Sequence, residues 1–291
     1  MLRYVLAMDN ECPRLCAPDQ EKSCFACCPP IRPPGYEHIT YRRIIHRELL
    51  NSTKEFDADS DHVRSITGYS CWALGYLDHR FRRVGCLLHP NQNGGRDLRY
   101  RVDYGKKCSR ESCEESRLFD LLEEEIRRYY VELTQGLDSF SYSSRNENPL
   151  FTLVWWGTEI LTYVAHNGDK KAGDRATFFS QFPLFARGLD PRAYAYLISF
   201  LVSHHGDAIL KSTETAELCR SFWEELRTDY TVSPLTQAPR PYVYNLQLDP
   251  LFARFLRYGL GIARITQTEA DTLRLQIDAR INRFYRSIRC E

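Results

Sequence analysis

The chain has 291 residues, 43% of them apolar, and no run of 18 apolar residues, so its composition argues against disorder, a collagen-like fold or a membrane span. Basic and acidic residues number 39 and 38, and that balance gives no ground for a polyanionic partner. Arginine outnumbers lysine 32 to 7, a usage that codon bias produces as readily as selection for bidentate contacts.

In chain order, the first segment, MLRYVLAMDNECPRLC, offers only residues 4–8 before Asp9 and Glu11 interrupt. An export signal needs an apolar stretch of roughly 7–15 residues. A reducing cytoplasm is therefore the expected location, and there dense cysteines bind metal or do redox work rather than form structural disulfides. Residues 24–34 (CFACCPPIRPP) hold four prolines and should be irregular. Residues 36–56 read as a helix with Ile39, Ile44, Ile45, Leu49 and Leu50 on one face. Residues 98–104 alternate, Leu98, Tyr100, Val102 and Tyr104 against Arg99, Arg101 and Asp103, as in a half-buried strand. Asn93-Gly94-Gly95 supplies a turn before it, and residues 72–77 and 84–88 are its expected partners.

Past residue 117 the pattern changes. Asn148-Pro149, Asp190-Pro191 and Asp249-Pro250 each place a capping side chain before a proline at the first helical position. Thr266 with Glu269 forms a capping box for a last helix to about residue 287, carrying Ala270, Leu273, Ile277, Ile281 and Phe284 at helical spacing. Further helices are expected at 117–134, 174–187 and 214–229. The predicted architecture is mainly α: a Cys-rich, loop-rich metal-binding segment with a small sheet (1–117), then an all-α helical domain (118–291).

Nine of eleven cysteines lie in the first 113 residues: Cys12, Cys16, Cys24, Cys27, Cys28, Cys71, Cys86, Cys108 and Cys113. Zinc takes four tetrahedral ligands, usually as two short pairs. Cys24-x2-Cys27 and Cys12-x3-Cys16 have that spacing, and so does Cys86-x2-His89, which Cys108-x4-Cys113 could complete. Cys28 and Cys71 are then left over. Adjacent Cys27 and Cys28 reach one ion poorly, which hints at two neighbouring centres or a cluster. Four thiolates suit an iron–sulfur cluster equally well, and thiolate chemistry alone does not separate iron from zinc.

Cys24-Phe-Ala-Cys27-Cys28, then Cys71 with Leu74 to Asp78, then Gly85-Cys86-Leu87-Leu88, resembles the bacterial family of zinc- or iron-chelating domains of YkgJ type. The resemblance covers about 90 residues and implies Cys24, Cys27, Cys28, Cys71, Cys86 and Cys108 as metal ligands. It departs from the family where 21 residues separate Cys86 from Cys108.

Other features carry bland readings. A thioredoxin-like role for Cys24-x2-Cys27 conflicts with its proline-rich flank. His204-His205, Trp155-Trp156 and Glu159 fit a helical core and its solvated neighbours. The run RYRVDYGKK (99–107) could clamp a single strand, but fits an exposed sheet edge better.

The expected function is cytoplasmic metal binding, with iron–sulfur or zinc organising the fold and serving redox or catalytic chemistry if it is iron–sulfur. The alternative is a structural-zinc module presenting a surface to a protein or RNA. The expected ligands are the nine cysteines with His89 as an optional nitrogen. Balanced charge argues against nucleic acid as the main partner, and no segment calls for a membrane.

Overall fold

The computed structural model describes residues 12–28, 33, 35–67, 70–110, 112–168, 174–186, 188–206, 208–230 and 240–287. The expectations for the leader and for most of the proline-rich stretch after Cys28 lie outside those residues. A short 3₁₀ turn (His38–Tyr41) leads into α1 (Arg42–Glu55). Ile45 and Leu49, four apart, are fully buried, whereas Ile44 is 47% exposed and does not share the expected face. Strands β1 (Leu74–Tyr76) and β2 (Val84–Cys86) pair antiparallel, with Leu74 opposite Cys86 and Tyr76 opposite Val84. The Asp78 carboxylate closes their loop by accepting the amides of Arg80, Arg82 and Arg83 at 2.9, 3.2 and 2.6 Å. α1 packs on β1, and the Thr53 hydroxyl accepts the Tyr76 amide at 2.7 Å. Around this hairpin gather Phe25, Ile45, Leu49, Leu88, Leu98 and Val102.

Residues 98–104 correct the sequence reading. They form a 3₁₀ helix (Arg99–Arg101) followed by α2 (Gly105–Arg110), not a third strand. The Asp97 carboxylate accepts both the Arg99 amide (3.1 Å) and its guanidinium (2.8 Å), and such local bonding competes with a sheet ladder. A period near three then turns Tyr100 outward and Arg101 inward, while Leu98 and Val102 stay buried. Tyr100 is 56% exposed, and Arg101 is buried, donating to the carbonyls of Asp57 (3.2 Å) and Ala58 (2.8 Å).

The helix expected at 117–134 is two, α3 (Glu114–Asp120) and α4 (Glu124–Glu132), separated where Glu123 turns extended. After α5 (Ser139–Tyr142) comes α6 (Leu150–Leu153). The chain divides into two compact units between Phe151 and Thr152, not at 117/118 as composition had indicated. The cause is hydroxyl bonding from α5 onto the N-terminal loop: Ser139 Oγ accepts the Ser23 amide (3.0 Å), Ser143 Oγ accepts the Phe25 amide (2.9 Å), and Tyr142 donates to the Leu15 carbonyl (3.0 Å).

The second unit is helical, through α7 (Thr158–Asn167), α8 (Arg175–Gln181), α9 (Pro183–Ala186), α10 (Pro191–His205), α11 (Ala208–Lys211), α12 (Thr213–Asp229), α13 (Pro250–Arg254) and α14 (Gln267–Ser287). Asp190 and Asp249 cap α10 and α13 through the amides of Arg192 (3.0 Å) and Phe252 (2.9 Å), as the Asx-Pro pairs predict. The capping box of α14 is present: Thr266 Oγ1 accepts the Glu269 amide (3.3 Å) and Glu269 accepts that of Thr266 (3.0 Å). Pro183 splits the expected 174–187 helix, having no amide to donate. α10 runs through the core, with Leu197, Ile198 and Leu201 fully buried, and packs on α13 and the π-turn (Phe255–Gly259) that prolongs it. No described helix is long and apolar enough to cross a membrane.

Candidate metal centre

The loop bearing the first cysteines is held by main-chain bonds to distant side chains. The Cys24 amide donates to the Cys16 carbonyl (2.9 Å), folding the two ends of the loop together. The Ser23 hydroxyl accepts the Val84 amide and donates to the Val84 carbonyl, both at 2.7 Å, which fixes the loop to β2 two residues before Cys86. Phe25 then plugs the core, edge-on to His38 and Phe140 with ring centroids 4.7 and 5.3 Å away. With Phe25 and Ala26 directed inward, the flanking Cys24 and Cys28 stay part-buried and Cys27 is exposed.

Eight cysteines lie in two neighbourhoods that meet at Cys27, which is hydrogen-bonded to Cys28 and near Cys86. In the first, Ser116 touches two sulfurs: its hydroxyl lies 3.5 Å from Cys16 Sγ, and its amide donates to Cys113 Sγ at 3.4 Å. Cys113 caps α3, and Cys16, Cys24, Cys27 and Cys113 are near enough that charge on one raises the pKa of another. In the second, Cys71 sits in the buried cluster on the hairpin, and Cys28 and Cys86 pack against the same cluster. Cys108, on α2, joins them electrostatically, and its carbonyl accepts from Arg99 at 3.1 Å. α2 is placed by Gly105, where a Cβ would lie 2.6 Å from the Arg99 carbonyl oxygen and 2.8 Å from Tyr100 Cα.

Burial pushes the thiols of Cys71 and Cys113 up to about 12 and that of Cys86 to about 11; Cys24 is also raised by burial, and Cys16 likewise although its surface is accessible. Cys28 is raised by its hydrogen bond with Cys27 and by burial. Against this, backbone amides point at sulfur: Ala26 at Cys24 (3.4 Å), Ala73 at Cys71, Leu88 at Cys86 and Ser116 at Cys113. Arg99 favours ionised Cys86, and Arg145, ion-paired with the buried Glu115, lies near Cys24 and Cys113. Such donors and cations suit thiolates.

Two candidate ligands stand outside these groups. Cys12 is hydrogen-bonded to Glu124 at the start of α4. His89 Nδ1 accepts the Asn91 amide at 3.2 Å, capping a 3₁₀ turn (Pro90–Gln92). Of the expected Cys108 and Cys113 pair, Cys108 lies on α2 and Cys113 caps α3. Among the described residues, no three His, Cys, Asp or Glu side chains converge as placed on a single ion-sized point. Cys12, Cys16, Cys24, Cys28, Cys71, Cys86 and Cys113 form no disulfides.

Beside Cys71, a groove of about 490 Å³ is lined by Glu48, Glu55, Ser70, Trp72 and Arg101, among others, with the Ser70 hydroxyl donating to Glu48 at 2.5 Å. The basic run at 99–107 is not an open clamp, since Arg99 is held by Asp97 and Arg101 by the carbonyls of Asp57 and Ala58. Sequence reasoning missed Ser116, Ser139, Ser143, Arg99 and Arg145, whose partners are long-range or which read as ordinary surface residues. No protein-family model, curated protein or solved structure matches the chain.

Proposed function

We propose that the N-terminal unit is a cytoplasmic metal-binding module of the kind its CxxCC resemblance implies, taking an iron–sulfur cluster or zinc on cysteine ligands. One observation carries this reading: eight cysteines from five places in the chain gather in one unit, with amides donating to their sulfurs and the charges of Arg99 and Arg145 nearby. Thiols raised this far by burial cost free energy to ionise, and a thiophilic cation offsets that cost directly. The donor set is soft sulfur, the chemistry a thiophilic metal takes, and as placed no three of the described candidate ligands converge on one point, so ligation would require them to draw together. Zinc would supply folding free energy, whereas an iron–sulfur cluster would add electron-transfer chemistry.

The test is elemental analysis of the full chain purified without oxygen. Iron with labile sulfide and visible charge-transfer absorbance, or stoichiometric zinc in colourless protein, is the expected result. Native, folded protein carrying neither metal would overturn the reading.

A further inference from the structure

We infer that the eight cysteines build two separate metal centres, one on Cys16, Cys24, Cys27 and Cys113 and the other on Cys28, Cys71, Cys86 and Cys108, divided at the Cys27–Cys28 peptide bond. The inference rests on the metal-binding reading and adds the number of centres and the partition of their ligands.

The geometry divides the sulfurs in this way. Ser116 bridges Cys16 and Cys113 through its hydroxyl and its amide, and the Cys24–Cys16 main-chain bond brings Cys24 to the same end of the loop. On the other side, Cys28 and Cys86 pack against the hairpin core that buries Cys71. The register fixes Cys86 opposite Leu74, and the Leu74 amide turns back to the Cys71 carbonyl (2.9 Å), so the two cysteines share one end of the sheet. Cys27 stands at the dividing line: it is exposed, hydrogen-bonded to Cys28 and near Cys86, while Cys16, Cys24 and Cys113, three of its sulfur neighbours, belong to the first set.

Charge follows the same division. Four thiolates around a divalent ion leave a double negative charge, and each set has its own guanidinium, Arg145 beside the first and Arg99 beside the second. Amides aimed at sulfur are likewise shared out, from Ala26 and Ser116 in one set and from Ala73 and Leu88 in the other. Ligation would draw each quartet together by rotation about χ1, the single torsion that places a cysteine sulfur. Since adjacent Cα atoms are ~3.8 Å apart and metal–sulfur bonds are ~2.3 Å, the two centres would lie on the order of 10 Å from each other.

The experiment counts metal per chain in full-length protein purified without oxygen. Wild type should carry two zinc equivalents, or the iron and sulfide of two clusters. Cys113→Ser and Cys71→Ser should each halve that content. The cross-set pair Cys113→Ser/Cys71→Ser should lose all of it, and the within-set pair Cys16→Ser/Cys113→Ser no more than half. Cys12→Ser and His89→Ala should leave it at two. Since a serine variant can fail to fold, cadmium-113 exchanged into wild type gives a second readout: two resonances of all-sulfur character are expected. A single resonance, one equivalent per chain, or complete loss from the within-set pair would overturn the two-centre inference and leave the metal-binding reading standing. Wild type without metal would overturn both.

Discussion

Phe25 shows how one apolar residue arranges the chemistry on either side of it. Its ring, 1% exposed, anchors the chain between Cys24 and the Cys27–Cys28 pair, so cutting it to alanine removes both core packing and the alignment of three sulfurs. Phe25→Ala should cost about 3–5 kcal/mol and reduce bound metal in the same variant, read by hydrogen exchange in residues 42–55 and by elemental analysis. At Asp97, hydrogen bonds from the Arg99 side chain hold the carboxyl at about 2, below the usual ~3.9. A depressed carboxyl stabilises the fold fully above its unfolded pKa and loses that contribution as pH falls through the folded one. Because Asp97 keeps much of its solvent contact, the contribution is under ~1 kcal/mol. The stability difference between wild type and Asp97→Asn, measured by urea unfolding, should therefore shrink as pH is lowered from 5 towards 2. At this scale the sequence was informative about sulfur and silent about its helpers. A CxxCC element stands out by spacing alone, whereas Ser116 and Arg145 look like any surface serine and arginine until distant parts of the chain meet.

Among the elements, local signals were read well wherever one residue settles the geometry. The Asx-Pro caps and the Thr266–Glu269 box act within four residues, so their helices start where the sequence places them. Residues 98–104 failed for the same kind of local reason: the alternation was real, but Asp97 captured Arg99 and wound the segment into a 3₁₀ turn. That turn matters for the second set of cysteines, since Gly105 lies against its backbone and α2 carries Cys108. Gly105→Ala should push α2 off the turn at a cost of roughly 1–3 kcal/mol. Its metal content should fall towards that of Cys108→Ser while remaining above that of the cross-set double variant; content equal to wild type would separate α2 from the site.

For the whole molecule, the boundary was read early because composition marks where cysteines stop, not where contacts stop. Between residue 117 and the division at 151/152, α4 and α5 belong by packing to the unit that precedes them, through Ser139, Tyr142 and Ser143. Metal should accordingly stabilise residues 12–145 as a body. Adding a chelator should speed amide exchange in α1, α3 and α5 and leave α10, whose Asp190 cap and buried leucines involve no cysteine, at its original rate. Equal acceleration of α10 would show that metal supports the whole chain as a single cooperative body.

The hydroxyl latches of α5 also set an order of events during synthesis. Ser23 and Phe25 find their partners 116 and 118 residues later in the chain. At ribosomal speeds of about 5–20 residues per second, that separation corresponds to roughly 6–24 s of translation. For that interval a nascent polypeptide carries its first five cysteines without the helix that holds their loop in place, so it meets cellular oxidants and stray cations before its own scaffold has emerged.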